Sequence, residues 1–289
     1  LEAMKRTGIG GVLIMEVDQG IPLGPVPFMS NRWRELFKHV VAEARRLGLQ
    51  VNMNNDAGWN GSGGPWVTPD VAMQKLVFSD ASVQGPGPVE ATLPEPPKVA
   101  GYLRDVCVLA FPAAQRFPLA GLEGKAAFTI GAGGPDTRTP PEGALIARHN
   151  VLDITGRMDP SGRLRWNAPP GRWTILRVAH TPTGVENAPS PASGRGLECD
   201  KLATEGIDAH FRGMMAKLIA DVGPDAGKTL VATHIDSWEN GSQNWTPRFR
   251  EEFLARRGYD LLPYLPVVTG RVVGSLETSE RFLYDFRQT

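Results

Sequence analysis

The sequence predicts an α/β host interrupted by an all-β guest, on three observations. A strand–helix–strand pattern opens the chain. Short alternating runs broken by Gly- and Pro-rich turns fill its middle, and helix and strand periodicity returns after residue 196.

Leu1–Thr7 reads as the last turns of a helix closed by Gly8. Gly11–Val17 is a short, nearly continuous apolar run, as in a strand buried on both faces. A loop rich in Gly and Pro follows. Trp33, Leu36, Phe37, Val40, Val41, Ala44 and Leu47 then fall on one helical face, between Ser30 as N-cap and Gly48 as the closing glycine. Leu49–Asn54 is the next strand, which completes a parallel βαβ unit.

Between about Gln74 and Pro182 the candidate strands are Lys75–Ser79, Tyr102–Phe111, Phe128–Gly131, Val151–Thr155, Leu164–Asn167 and Trp173–His180. Gly85-Pro86-Gly87-Pro88, Gly133-Gly134-Pro135-Asp136 and Pro169-Pro170-Gly171 read as turns between them, which predicts a sandwich-like module. After a linker at Thr183–Gly196, Ile207, Phe211, Met214, Met215, Leu218, Ile219 and Val222 mark an amphipathic helix ended by Gly223-Pro224. Thr229–Ile235 is a strand, and Thr246-Pro247 to Arg257-Gly258 brackets a further helix. The predicted organisation is thus host at 1–73, β-rich module and linker at 74–195, and host again at 196–289.

Composition narrows the function classes. The 31 basic and 31 acidic residues cancel, so there is no electrostatic case for nucleic acid or an anionic membrane as partner. No apolar run approaches the roughly 18 residues of a membrane span. Two cysteines, Cys107 and Cys199, exclude a disulfide scaffold and a Cys-rich zinc module. The 33 Gly and 25 Pro, against a usual combined share of about 12%, mark a chain rich in turns. Leu1 is not an initiator Met and Glu280–Arg287 reads as a helix without a closing cap, so an excerpt of a longer protein is expected. No signal peptide is visible, although a chain that starts inside an element could not show one.

In parallel α/β folds, functional groups gather at the C-terminal ends of strands. Three such ends are polar: Glu16–Gln19, Asn54–Asn60 and His234–Asn240. In the third, Asp236 ends the strand and Glu239 follows beside Trp238, with Asn240, Gln243, Asn244 and Trp245 downstream. Carboxylates act on a glycosidic oxygen, aromatics stack on a sugar ring, and amides bond its hydroxyls. An indole beside Glu239 would also favour a protonated, acid-competent carboxyl. The competing assignment has Glu239 capping the next helix or pairing with an Arg. Asn55–Trp66, with Trp59 and Trp66, is either a rim that contacts sugar or a loop packing its own tryptophans. Glu198-Cys199-Asp200-Lys201 is a carboxylate pair for catalysis or calcium, or simply favourable charge near a helix start.

Other chemistries fail. Five His are too few and too scattered for a His-rich metal site, and neither a Gly-x-Ser-x-Gly elbow nor a P-loop is present. Asn60, Asn240 and Asn244 head glycosylation sequons, two of them inside the candidate site, which suggests coincidence.

Several long motifs occur together in order. They are Leu1–Gly11, Met29–Leu36, Gly58-Trp59 with Ser62–Trp66, Gly196–Lys201, and His234–Glu239 through Arg257–Pro263. Together they resemble glycoside hydrolase family 106, the α-L-rhamnosidases, over nearly the whole chain, most weakly from about Ser82 to Pro160. The resemblance implies a (β/α)8 barrel with β-rich additions, inverting removal of terminal α-L-rhamnose, and a calcium ion at the active site. Roughly 170 host residues would supply about half to two-thirds of such a barrel, the rest coming from the remainder of the parent chain. The expected substrate is a rhamnose-containing oligosaccharide or glycoside, and a periplasmic or secreted location is suspected.

Carried over by motif, Glu239 is the first catalytic carboxylate. Its partner is Glu198 or a residue beyond Thr289. Asn55, Trp59, Asp236, Trp238 and Trp245 are assigned to substrate binding. The resemblance leads one to expect His where this chain has Asn54, and no calcium ligands are assigned. Two other functions compete: a carbohydrate-binding or structural piece without activity, and a glycosidase of another specificity.

Overall fold

The computed structural model describes residues 1–289. The chain runs α1 (Glu2–Arg6), β1 (Gly11–Glu16), α2 (Asn31–Leu47), β2 (Gln50–Ala57), β3 (Gln74–Thr92), β4 (Arg104–Pro112) and α3 (Leu122–Lys125). It continues through β5 (Leu145–Ile146), β6 (Leu152–Asp153), β7 (Arg163–Pro182), α4 (Thr204–Gly213), α5 (Met215–Val222) and β8 (Leu230–His234). It ends with α6 (Phe249–Arg257), β9 (Val272–Val273) and α7 (Leu276–Gln288). No helix is long and apolar enough to cross a membrane.

Two compact units result, one from residues 1–73 and 184–241, the other from 74–183 and 242–289. The boundaries differ from those read in the sequence at two places. The linker after Thr183 belongs to the first unit, and residues 242–289 belong with the inserted β module.

The first unit holds a parallel sheet of order β1-β2-β8, with Val12 beside Val51 and Asn54 beside His234. Helix α2 starts as its sequence predicts: the Trp33 N–H donates to Ser30 Oγ at 3.2 Å, and Gly48 closes it in the left-handed conformation at φ 64°. Phe37, Val41 and Ala44 of this helix pack with Val51 and Met53 of the sheet and with Met214, Met215, Leu218 and Val222. The Arg34 guanidinium donates to both carboxylate oxygens of Asp221, at 2.6 and 2.7 Å, tying α2 to α5. The single amphipathic helix expected at 207–222 is broken in two at Met214. Beside the break, Gly213 lets the backbone touch Trp66: a Cβ there would lie 2.1 Å from the indole Cγ.

The second unit holds one antiparallel sheet of order β3-β7-β4-β6. It is not a two-sheet sandwich. Alternate residues of its strands point to opposite faces. Leu76, Leu109, Phe111, Leu176 and Val178 face a core closed by Phe249 and Phe253 of α6, by Phe282 and Phe286 of α7, and by Leu261–Val268. Val108, Ala110, Trp173 and Ile175 face a smaller core with Leu164 and Ile154. Helices, together with the two-residue parallel pair β5–β9 whose Ile146, Val272 and Val273 join the same core, therefore cover the larger face.

Two of the expected turns lie inside strands. Residues 74–92 pair with 163–182 along their whole length, and the register shifts between Gly85 and Gly87, opposite Ala168–Gly171. The Gly/Pro signals mark a bulge. Proline is tolerated there because β3 is an edge strand and β4 reaches β7 only from Trp173 onward, so Pro169 and Pro170 face no ladder on that side. Phe128–Gly131, read as a strand, is a bent segment whose Phe128 packs on the core.

Candidate active site

Every group of the candidate site belongs to the first unit, at the C-terminal ends of β2 and β8, on the segment before α4 and on α4 itself. A cleft of ≈ 490 Å³ opens there, lined among others by Asn55, Lys201, His210, Phe211, Asp236 and Trp238.

Glu198 sits beside it, fully buried. Its backbone is clamped on both sides: its N–H donates to Val185 O at 2.9 Å, and the Met73 N–H donates to its carbonyl at 2.9 Å. Glu198 Oε2 accepts from Lys201 Nζ at 2.5 Å, Ser62 Oγ at 3.2 Å and Asn240 Nδ2 at 3.5 Å, whereas Oε1 has no hydrogen-bond partner. Burial raises the Glu198 pKa, with Lys201 opposing. Asp200 turns back on the chain, accepting from the Leu202 N–H at 2.9 Å. The two acids of this motif thus have separate roles.

Asp56 is the residue that sequence reasoning missed. It lay within the polar end of the second strand but was not singled out. It is fully buried, and burial, reinforced by the charge of Glu198, pushes its pKa up to about 7. Asn54 Nδ2 donates to Asp56 Oδ1 at 3.1 Å, and Asp56 Oδ2 is unpartnered. The amide oxygens of Asn52, Asn54 and Asn240 are buried without partners as well. A surplus of buried acceptors at one end of the sheet was not legible as a pattern, because nothing in Asn54-Asn55-Asp56 says which side chains turn inward.

His210 is the second omission, masked by its place on a helix. It is buried, its Nε2–H donates to Asn55 O at 2.8 Å, and Nδ1 accepts from Trp66 Nε1–H at 3.0 Å and the Gly63 N–H at 3.2 Å. Desolvation lowers its pKa to about 4, so the ring is neutral and joins three walls of the site by hydrogen bonds.

Of the residues assigned from sequence, Asn55, Asp236 and Trp238 line the cleft. Asn55 Nδ2 donates to Gly61 O at 2.6 Å, and the exposed Asp236 accepts from His234 Nε2 at 3.3 Å. The exposed Trp238 indole has Lys201 Nζ 5.3 Å from its ring centre, so the neighbour of this indole is a cation and not only the adjacent Glu239. Glu239 itself is exposed in the loop after β8. Trp59 is half-buried outside the cleft lining and acts through its backbone, its carbonyl accepting from the Ser237 N–H at 3.0 Å. Trp245 is a correction. It is buried in the second unit between Phe249 and His180, as core and not as a sugar contact. Asn60, Asn240 and Asn244 are all buried, so none of the three sequons presents an amide to a glycan.

A family model described as alpha-L-rhamnosidase, glycoside hydrolase family 106, matches residues 1–118 and 114–289. A protein of Formosa agariphila named putative beta-glucuronidase is 40% identical over 295 residues, which is 100% of this chain and 25% of that protein. The solved structure of a rhamnosidase from Novosphingobium sp. PP1Y matches with a TM-score of 0.85 at 26% identity, over 100% of this chain and 41% of that one. The chain thus spans about a quarter of the curated relative it matches. Two overlapping matches that run from the first residue to the last assign the whole chain: it belongs to glycoside hydrolase family 106, the α-L-rhamnosidase family.

Proposed function

We propose that this chain is part of a glycoside hydrolase that removes terminal α-L-rhamnose with inversion, and that β1, β2 and β8 are an arc of a (β/α)8 barrel completed by the rest of a longer polypeptide. The observation that carries the proposal is the make-up of the cleft. Trp238 offers a face for a sugar ring, Asp236 and Asn55 offer hydroxyl partners, and Ile207, Phe211 and Ile235 offer an apolar wall suited to the methyl group of a 6-deoxysugar.

In an inverting mechanism one carboxylic acid protonates the leaving oxygen while a carboxylate about 6.5–9.5 Å away activates water. Glu239, exposed at the strand end, is the acid. Glu198 is sealed from solvent and bound to Lys201, which favours a holding role, so the base is assigned to the remainder of the longer chain. The name of the Formosa relative motivates a second specificity, for β-glucuronides. Lys201 is the one Lys or Arg of this chain that lines the cleft, and it is paired with Glu198, so on this second reading the remainder of the longer chain would supply the cation for a uronate.

No three His, Cys, Asp or Glu side chains gather as a metal cluster. The unpartnered oxygens of Asp56, Glu198, Asn54 and Asn240 are nevertheless the hard donors that calcium takes, so Asp56 and Glu198 are proposed to hold it. Bound there, the ion would supply positive charge for sugar hydroxyl oxygens. The test is turnover of aryl α-L-rhamnoside and aryl β-D-glucuronide by the full-length protein. Rhamnoside turnover that falls at least about 100-fold in Glu239→Gln is expected; a wild-type rate in that variant overturns the assignment, and preference for the glucuronide overturns the specificity.

A further inference from the structure

We infer that Lys201 is a positioning residue that sets Trp238 as the sugar platform and couples it to the buried Glu198. The inference rests on the proposed glycosidase site and adds a residue to it.

Trp238 is 63% exposed, and an exposed indole on a loop has many rotamers open to it. Lys201 Nζ lies over its ring, 5.3 Å from the centroid. A cation over an indole face is attracted by the ring quadrupole, and the attraction grows when the cation is desolvated. Lys201 is desolvated: its side chain is 6% exposed. Its ammonium is itself fixed, at 2.5 Å from Glu198 Oε2, 3.5 Å from Cys199 O and 3.7 Å from Met73 Sδ. Glu198 is in turn held by backbone hydrogen bonds to Val185 and Met73. A rigid chain of contacts thus runs from buried backbone, through carboxylate and ammonium, to a solvent-exposed ring. Nothing in that chain needs Lys201 to touch the substrate.

The geometry separates this role from general support. A lysine needed only to neutralise Glu198 would affect folding or the rate constant. A lysine that orients Trp238 affects substrate affinity through that ring. The experiment uses the full-length protein labelled with 5-fluorotryptophan, its 238 resonance assigned with Trp238→Phe. Lys201→Met is expected to shift or broaden that resonance and to raise KM for aryl α-L-rhamnoside about three- to tenfold, with a smaller change in kcat. Lys201→Arg, which keeps a cation over the ring, is expected to restore both. In a Trp238→Ala background Lys201→Met should leave KM unchanged. Should Lys201→Met leave Glu198 unpaired and fail to fold, Lys201→Gln, which can still donate a hydrogen bond to Glu198 but places no cation over the ring, carries the same comparison. An unmoved 238 resonance, or an equal KM rise in the Trp238→Ala background, overturns the inference. If the wild type turns over no aryl rhamnoside, the proposed function falls, while the resonance alone still decides the coupling.

Discussion

Asp56 carries a pH signature of its own. Unfolded, its carboxyl ionises near 3.8; folded, it keeps its proton up to about 7. Between those values the folded state binds more protons than the unfolded one, so the Asp56 contribution makes stability fall as pH rises through the window and level off above about 7. His210 and His180, whose pKa values are lowered to about 4, act in the opposite sense, so the Asp56 contribution is read from the difference between the wild type and a variant that lacks this carboxyl. Urea unfolding in calcium-free buffer from pH 4 to 7 should therefore show Asp56→Asn gaining on the wild type as pH rises. Parallel curves would mean that Asp56 is not the titrating group. The residues legible in the sequence were those whose polarity at a strand end implies exposure to a cleft: Asn55, Asp236 and Trp238. Glu198 was legible as a site carboxylate but its burial was not, and Asp56 and His210 matter only through burial, which depends on contacts such as His210 with Asn55 and Glu198 with Ser62, more than a hundred residues apart.

At the scale of elements, local signals were reliable where capping chemistry decides and misleading where pairing decides. Ser30 and Gly48 bound α2 as expected because the side-chain acceptor and the left-handed φ are local requirements. The Gly/Pro clusters at 85–88 and 169–171 look like turns by composition, yet the long pairing of β3 with β7 absorbs them as a bulge. The helix break at Met214 belongs to the same class, since nothing in the amphipathic pattern reveals that Gly213 meets Trp66. Gly213→Ala should cost about 1–3 kcal/mol through overpacking, despite the better helix propensity of Ala. Chemical denaturation measures this, and an unchanged or raised midpoint would show that Trp66 yields to the added methyl.

At the scale of the whole chain, the host-and-guest pattern was legible but its end was not. Residues 242–289 carry ordinary helical patterns that do not say which sheet they cover, and the large core formed by Phe249, Phe253, Phe282 and Phe286 with the antiparallel sheet assigns them to the second unit. The surplus of buried acceptors in the first unit gives a whole-molecule test. Calcium should raise the melting temperature of the full-length protein and chelation should reverse the gain, because a ligand that binds only the folded state stabilises it by mass action. An identical melting curve with calcium and with chelator would remove calcium from the site.

The order of assembly follows from the parallel pairing of β2 with β8. Val51 meets Leu230, about 180 residues later in the chain. At roughly 5–20 residues per second, a ribosome needs on the order of 10–35 s to deliver that partner. During this interval β2 presents an open edge while the strands of the antiparallel sheet emerge. The parallel edge at the candidate site therefore stays open until the strands of the antiparallel sheet have been made, and that edge is a place where a nascent chain can pair with another.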